Sequence, residues 1–197
     1  MQIHVLGDSI VTAYGSDENN FIGGWGDHLN SFFKNEVPVL VYAEGGRSSR
    51  SFLNEGRFMN YGIFSKDEFP YGMGPAYDRI CAGDYVLMQF CHNDDESKGC
   101  GTYVDRLTPL GIPDSHGIYP TVVPDEQMKV PTGEIPPEYV TLLRKNGMAE
   151  QEIAVYERKY RELIAQYGEK YWSYDCGATY KGYLKFYIDK IRACGAV

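Results

Sequence analysis

The sequence predicts an α/β fold built on a parallel sheet. Two observations carry this reading: short, continuous apolar runs, and helical periodicity between and after them. Strands covered on both faces by helices read as unbroken apolar runs rather than as alternation. Residues 2–6, Gln-Ile-His-Val-Leu, form the first run and end at Gly7. Leu29, Phe32 and Phe33 share one face of a helix predicted around 26–35. Residues 37–42, Val-Pro-Val-Leu-Val-Tyr, form the second run. Tyr85-Val-Leu-Met-Gln-Phe90 forms the third, after a Gly83-Asp84 turn.

From about 98 to 148 the pattern changes. Many of the ten prolines fall here, with scattered glycines and little periodicity, which predicts a loop-rich insertion. Two helical patterns follow. Ile153, Tyr156, Tyr160, Leu163 and Ile164 mark the first; Tyr180, Tyr183, Leu184, Tyr187, Ile188 and Ile191 mark the second. Gly195 stands where a helix C-cap is expected. A helix leading through glycine into Ala196-Val197 normally feeds a strand, so the sheet is expected to be incomplete at the C-terminus. No repeat or linker divides the chain. Residues 1–197 are read as one domain, with the insertion spanning about 98–175.

Composition narrows the function. With 197 residues, 43% hydrophobic and 23% charged, the chain can bury a sizeable core. A net charge of −8 argues against nucleic acid as a partner. No apolar run approaches the roughly 20 residues of a membrane helix. The first residues read as a strand and not as a leader, which favours the cytoplasm; a trimmed precursor would instead be secreted. The 17 tyrosines suit amphipathic packing, with sugar stacking as the functional alternative. Five cysteines, at 81, 91, 100, 176 and 194, are odd in number and form no Cys-x-x-Cys, so no metal site is expected. Reduced thiols fit best, and a Cys91–Cys100 or Cys100–Cys176 bridge stays open.

Three segments could carry chemistry, each following a different predicted strand. Reactive groups gather at the carboxyl ends of strands in open α/β sheets. Gly7-Asp8-Ser9 follows the first; Ser9 would project into the crevice, although Asp8 or Ser9 could equally cap a helix. Ala43-Glu-Gly-Gly-Arg-Ser-Ser-Arg-Ser-Phe52 follows the second. Its glycines let a main-chain N–H face a reacting carbonyl oxygen. Arg47 and Arg50 could bind a sugar acid, or pair with local carboxylates. Cys91-His-Asn-Asp94 follows the third, where Asn93 could donate to an oxyanion or simply shape a turn. His92 is a weaker candidate for a general base, since it adjoins Asn93.

Together these segments resemble the SGNH (GDSL) hydrolases, in the rhamnogalacturonan acetylesterase-like branch. Gly7-Asp-Ser-Ile-Val-Thr-Ala-Tyr14 resembles the first motif block, Gly46-Arg-Ser-Ser-Arg-Ser-Phe52 the second, and Gln89-Phe-Cys-His-Asn-Asp94 the third. Residues 183–196 are similar to the helix before the fourth strand. The resemblance covers 1–97 and 178–197. It implies a flavodoxin-like three-layer α/β/α sandwich around a parallel sheet. It also implies a serine esterase that removes O-acyl groups, most plausibly acetyl, from plant cell-wall polysaccharide or oligosaccharide. Ser9 would be the nucleophile, with Ser9, Gly46 and Asn93 forming the oxyanion hole. Asp8, Arg47 and His92 would line the substrate, and no metal or organic cofactor would be needed.

Two departures qualify the resemblance. Cys91 stands where the family has glycine, and the family's Asp-x-x-His pair occurs nowhere in these residues. The resemblance therefore implies a base beyond residue 197, and little activity from the chain as given. An apolar sheet edge would then favour a homodimer or pairing with a C-terminal piece. The alternative function is a carbohydrate-binding relic of the same fold that has lost catalysis.

Overall fold

The structure is a computed structural model. It describes residues 1–15, 21–34, 36–59, 74–94, 110–111, 113–124, 147–167 and 178–197, with single positions at 106, 108, 140, 141 and 144. The backbone divides into two compact units. One comprises Met1–Asn93 with Tyr187–Val197, the other Asp94–Phe186.

The first unit is α/β on a parallel sheet, as the sequence predicts. Strands β1 (Ile3–Gly7), β2 (Val39–Val41) and β3 (Tyr85–Gln89) are ordered β2-β1-β3, and both pairings are parallel. Ile3 stands between Val39 and Tyr85, and Gly7 opposite Gln89. The central strand is buried along its whole length, which explains its unbroken apolar run. Because the strands are parallel, their carboxyl ends open on one edge of the sheet.

The other elements depart from the sequence reading in detail. Helix α1 (Gly26–Leu29) gives way to a 3-10 turn over Asn30–Phe32, and Phe33 is already extended. No side chain caps the start of α1, and so short a helix depends on tertiary packing. Leu29 and Phe33 supply it, against a core of Ile3, Val5, Val11 and Ala43; Phe32 is 80% exposed. Pro38 has no N–H for the ladder, yet its carbonyl accepts from Ile3 at 2.9 Å. In β3, Tyr85 and Leu87 are exposed on one face. On the side of β3 away from β1, Val197 donates to Asp84 O at 2.9 Å and accepts from Val86 N at 2.8 Å, the pattern of a parallel bridge.

Helix α2 (Ser49–Asn54) is wholly buried and opens with a capping box, Ser48 and Ser51 each accepting from the other's backbone N–H. Aromatic packing fixes it. The Tyr187 hydroxyl donates to Ser49 O at 2.6 Å, while the Tyr187 ring meets Phe58 edge-on at 4.7 Å and stacks on Phe90 at 5.7 Å. Contacts of this kind add about 0.5–1.5 kcal/mol each beyond area burial. At the amino end of the sheet, buried His4 and Asp84 meet at 3.2 Å, and Asp84 also accepts from Gln2 N and Cys81 N.

In the second unit, α3 (Glu150–Tyr167) buries Ile153. Thr179 N-caps helix α4 (Tyr180–Ala193), and its hydroxyl donates to Pro120 O while accepting from Val122 N. At the far end of α4, within the first unit, Gly195 has φ of 81°. Gly195 N bonds Arg192 O and Ala196 N bonds Ile191 O, the Schellman pattern expected at a glycine cap. Most of the stretch 98–148 lies outside the described residues, as do Cys100 and Cys176. Cys81, Cys91 and Cys194 are free thiols. No helix among the described residues is long and apolar enough to cross a membrane.

Candidate active site

The loop after β1 is built on Gly7 and Asp8. A Cβ at Gly7 would stand 2.6 Å from Gln89 O and 2.7 Å from Val11 Cγ2, so only glycine lets the strands close here. Asp8 is fully buried. Its Oδ1 accepts from Ile10 N at 2.9 Å, and its carbonyl accepts from Val11 N, Thr12 N and the Thr12 hydroxyl. The resulting tight turn carries Ser9 at its apex, half-exposed. Burial pushes the Asp8 carboxyl above the usual carboxylate range, against the opposing pull of the Ile10 N–H, the His92 charge and Gln89. Asp8 is thus a buried strut beneath Ser9.

The loop after β2 runs alongside. Glu44 N donates to Gly7 O at 3.1 Å, which continues the strand pairing past β2. A Cβ placed on Gly45 would lie 3.8 Å from Ser9 Cβ and 3.2 Å from the Tyr14 hydroxyl, so the loop backbone faces Ser9 directly. Gly46 has φ of 78°, a conformation that side chains disfavour. Arg47 turns back on its own loop. Its Nη1 donates to Gly45 O at 2.8 Å and its Nε to Glu55 Oε2 at 2.9 Å. The same Glu55 oxygen accepts from Arg57 Nε at 2.5 Å, and Arg57 also pairs with Glu44 at 3.5 Å. Arg50 is buried in α2.

The loop after β3 joins this pair through Asn93. Asn93 is 7% exposed, and its Nδ2 donates to Arg47 O at 3.0 Å. The amide keeps a second hydrogen for another acceptor. His92 is exposed, near enough for its charge to act on Asp8. Cys91 has φ of 153°, so the position that is glycine in the resembled family keeps a glycine-like backbone here. His116 lies in the second unit, exposed, with its N–H on Asp114.

Ser9, Gly46 and Asn93 therefore stand on three loops at one edge of the sheet, and hydrogen bonds join those loops. Neither the Ser9 N–H nor the Gly46 N–H donates to an acceptor among the described residues. A hydroxyl, two open main-chain donors and an amide, carried on loops at one sheet edge, are the kinds of group that a tetrahedral oxyanion requires. Asp8 and Arg47 make structural contacts beneath and behind this edge. Sequence reasoning did not single out Glu55 and Arg57, although the Glu55-Gly-Arg57 triplet after α2 was a visible charge signal. Among the described residues, no cluster of three or more His, Cys, Asp or Glu could hold a metal ion.

No family model matches the chain. Three curated proteins do. Bacillus subtilis YesY, named a probable rhamnogalacturonan acetylesterase, is 32% identical over 106 residues, which is 54% of this chain and 41% of that protein. Rhamnogalacturonan acetylesterase RhgT from the same organism is 32% identical over 103 residues, 52% of this chain and 38% of RhgT. The rhamnogalacturonan acetylesterase of Emericella nidulans is 34% identical over 92 residues, 47% of this chain and 31% of that protein. These matches span about two fifths or less of the relatives' own length. The crystal structure of protein YxiM from Bacillus subtilis superposes with a TM-score of 0.37 and 16% identity, covering 98% of this chain and 56% of that one. Over about half its length, the chain is thus similar in sequence to the rhamnogalacturonan acetylesterases, the branch whose motif blocks its own resemble.

Proposed function

We propose that this chain carries the nucleophile and oxyanion site of a serine esterase that removes acetyl groups from rhamnogalacturonan. One observation carries the reading. The open Ser9 and Gly46 N–H groups and the Asn93 amide share the strand-end edge with the Ser9 hydroxyl. The similarity to rhamnogalacturonan acetylesterases supplies the substrate class. In this reading Ser9 Oγ attacks the acetyl carbonyl carbon and gives up its proton to a base. The carbonyl oxygen takes the negative charge, and the three donors stabilise it. Collapse expels the sugar oxygen, which is protonated as it leaves. Water then hydrolyses acetyl-Ser9 by the same steps in reverse order. The 197 residues contain no Asp-x-x-His, so the base of the resembled family has no counterpart among them.

Acetate release from acetylated rhamnogalacturonan tests the proposal, with the wild type compared against Ser9→Ala and Asn93→Ala. With no Asp-x-x-His among these residues, the reading expects slow but Ser9-dependent release, and a further loss of about 10²–10³ in kcat at Asn93→Ala. Release that is indifferent to both substitutions would overturn it. The alternative reading is a sugar-binding relic of the same fold. The relic would bind the deacetylated polymer as tightly as the acetylated one and turn over neither.

A further inference from the structure

We infer that Arg47, held by Glu55, is the positioning residue that aims the oxyanion donors of this site. The inference rests on the oxyanion reading above and deepens it. A trans peptide is planar, and its C=O and N–H point in opposite directions. The Gly45 carbonyl and the Gly46 N–H belong to one peptide, and Arg47 Nη1 grips that carbonyl at 2.8 Å. Holding the oxygen on one side fixes the N–H on the other. Glycines at 45 and 46 leave the peptide free to flip, since neither has a Cβ to resist rotation. The Arg47 grip is therefore what selects one orientation.

The same residue acts on a second donor. Arg47 O accepts from Asn93 Nδ2 at 3.0 Å, which fixes the plane of that amide and directs its remaining hydrogen. Arg47 is in turn held by Glu55 through Nε at 2.9 Å, and Glu55 is shared with Arg57, which also reaches Glu44. All four side chains are only 15–29% exposed, so solvent screens this network less than a surface pair. Two cations and two anions balance within it. Arg47 is thereby committed to its own loop, and its contribution is the aim of Gly46 and Asn93.

Two measurements test the inference on the whole chain. The first is independent of turnover: residual dipolar couplings of the backbone N–H vectors in 15N-labelled protein. Arg47→Gln and Glu55→Gln are expected to reorient the Gly46 vector and leave that of Gly83, at the far end of the sheet, unchanged. A Gly46 vector unchanged in both variants overturns the inference, whatever the activity. The second is kinetic, on 4-nitrophenyl acetate. Arg47→Gln is expected to lower kcat by about 10–100-fold, below the full loss of a donor, with KM little changed. A raised KM at constant kcat would make Arg47 a substrate-binding residue and overturn the positioning role. If Ser9→Ala costs no activity, the esterase reading fails, and the dipolar couplings alone judge the role of Arg47.

Discussion

Replacing Cys91 by glycine should relieve backbone strain directly after β3. Cys91 is the only non-glycine residue with positive φ among the described residues, at 153°. A side chain held in such a region costs about 1–3 kcal/mol. Glycine removes that cost but loses roughly 0.5–1 kcal/mol through the greater freedom of the unfolded chain. The thiol is exposed, so little packing is forfeited. The difference leaves a stabilisation of about 0–2.5 kcal/mol, and each kcal/mol raises Tm by about 2–4 °C in a chain of this size. Cys91→Ala is the matched control, because it keeps the Cβ and therefore the strain. Urea unfolding followed by circular dichroism, with reductant throughout, reads both variants. If Cys91→Gly is no more stable than Cys91→Ala, the strain argument is refuted.

Further predictions follow from other contacts. Gly7→Ala forces a Cβ to within 2.6 Å of Gln89 O and should cost about 1–3 kcal/mol in thermal or urea unfolding; an unchanged midpoint would contradict the close approach of β1 and β3. Tyr187→Phe removes one buried hydrogen bond to Ser49 and should cost about 0.5–1.5 kcal/mol by the same assay, with the aromatic packing intact. Burial pushes Asp84 up, but the Cys81 and Gln2 N–H groups and His4 outweigh it and hold its carboxyl below the usual range. A depressed carboxyl stabilises the fold above its unfolded pKa of about 3.9 and loses that contribution as pH falls through the lower folded value. The urea midpoint of the wild type should therefore fall more steeply below about pH 4 than that of Asp84→Asn. Asp8 has the opposite sign. Its raised carboxyl pays for ionising in the fold, so Asp8→Asn should gain stability at neutral pH and lose that advantage on acidification.

The sequence made β1 legible because burial on both faces leaves no polar alternation. At β3 the same pattern located the strand but not its burial, since Tyr85 and Leu87 are apolar yet exposed on one face. The helix around 26–35 shortened to one turn and a 3-10 segment, with Leu29 and Phe33 packed on the core and Phe32 exposed. Each segment with candidate chemistry was legible from its place after a strand. That Arg47 pairs with a local carboxylate was one of two readings open in the sequence, but which carboxylate was not legible, because ion pairs across a helix depend on how the chain returns and not on spacing. Cys91 also hid its meaning: a glycine would have announced a positive φ, and a cysteine does not.

In the proposed site, Ser9 and Gly46 present two N–H donors to a single tetrahedral oxygen. Titration of the 15N-labelled protein with methylboronic acid probes that arrangement. Boron adds to the serine hydroxyl and places an oxygen where the oxyanion forms. The Ser9 and Gly46 amide resonances should shift together with one binding curve, and Ser9→Ala should abolish both shifts. If neither resonance moves, or if they move as much in Ser9→Ala, the loops at the end of this sheet do not form an oxyanion site.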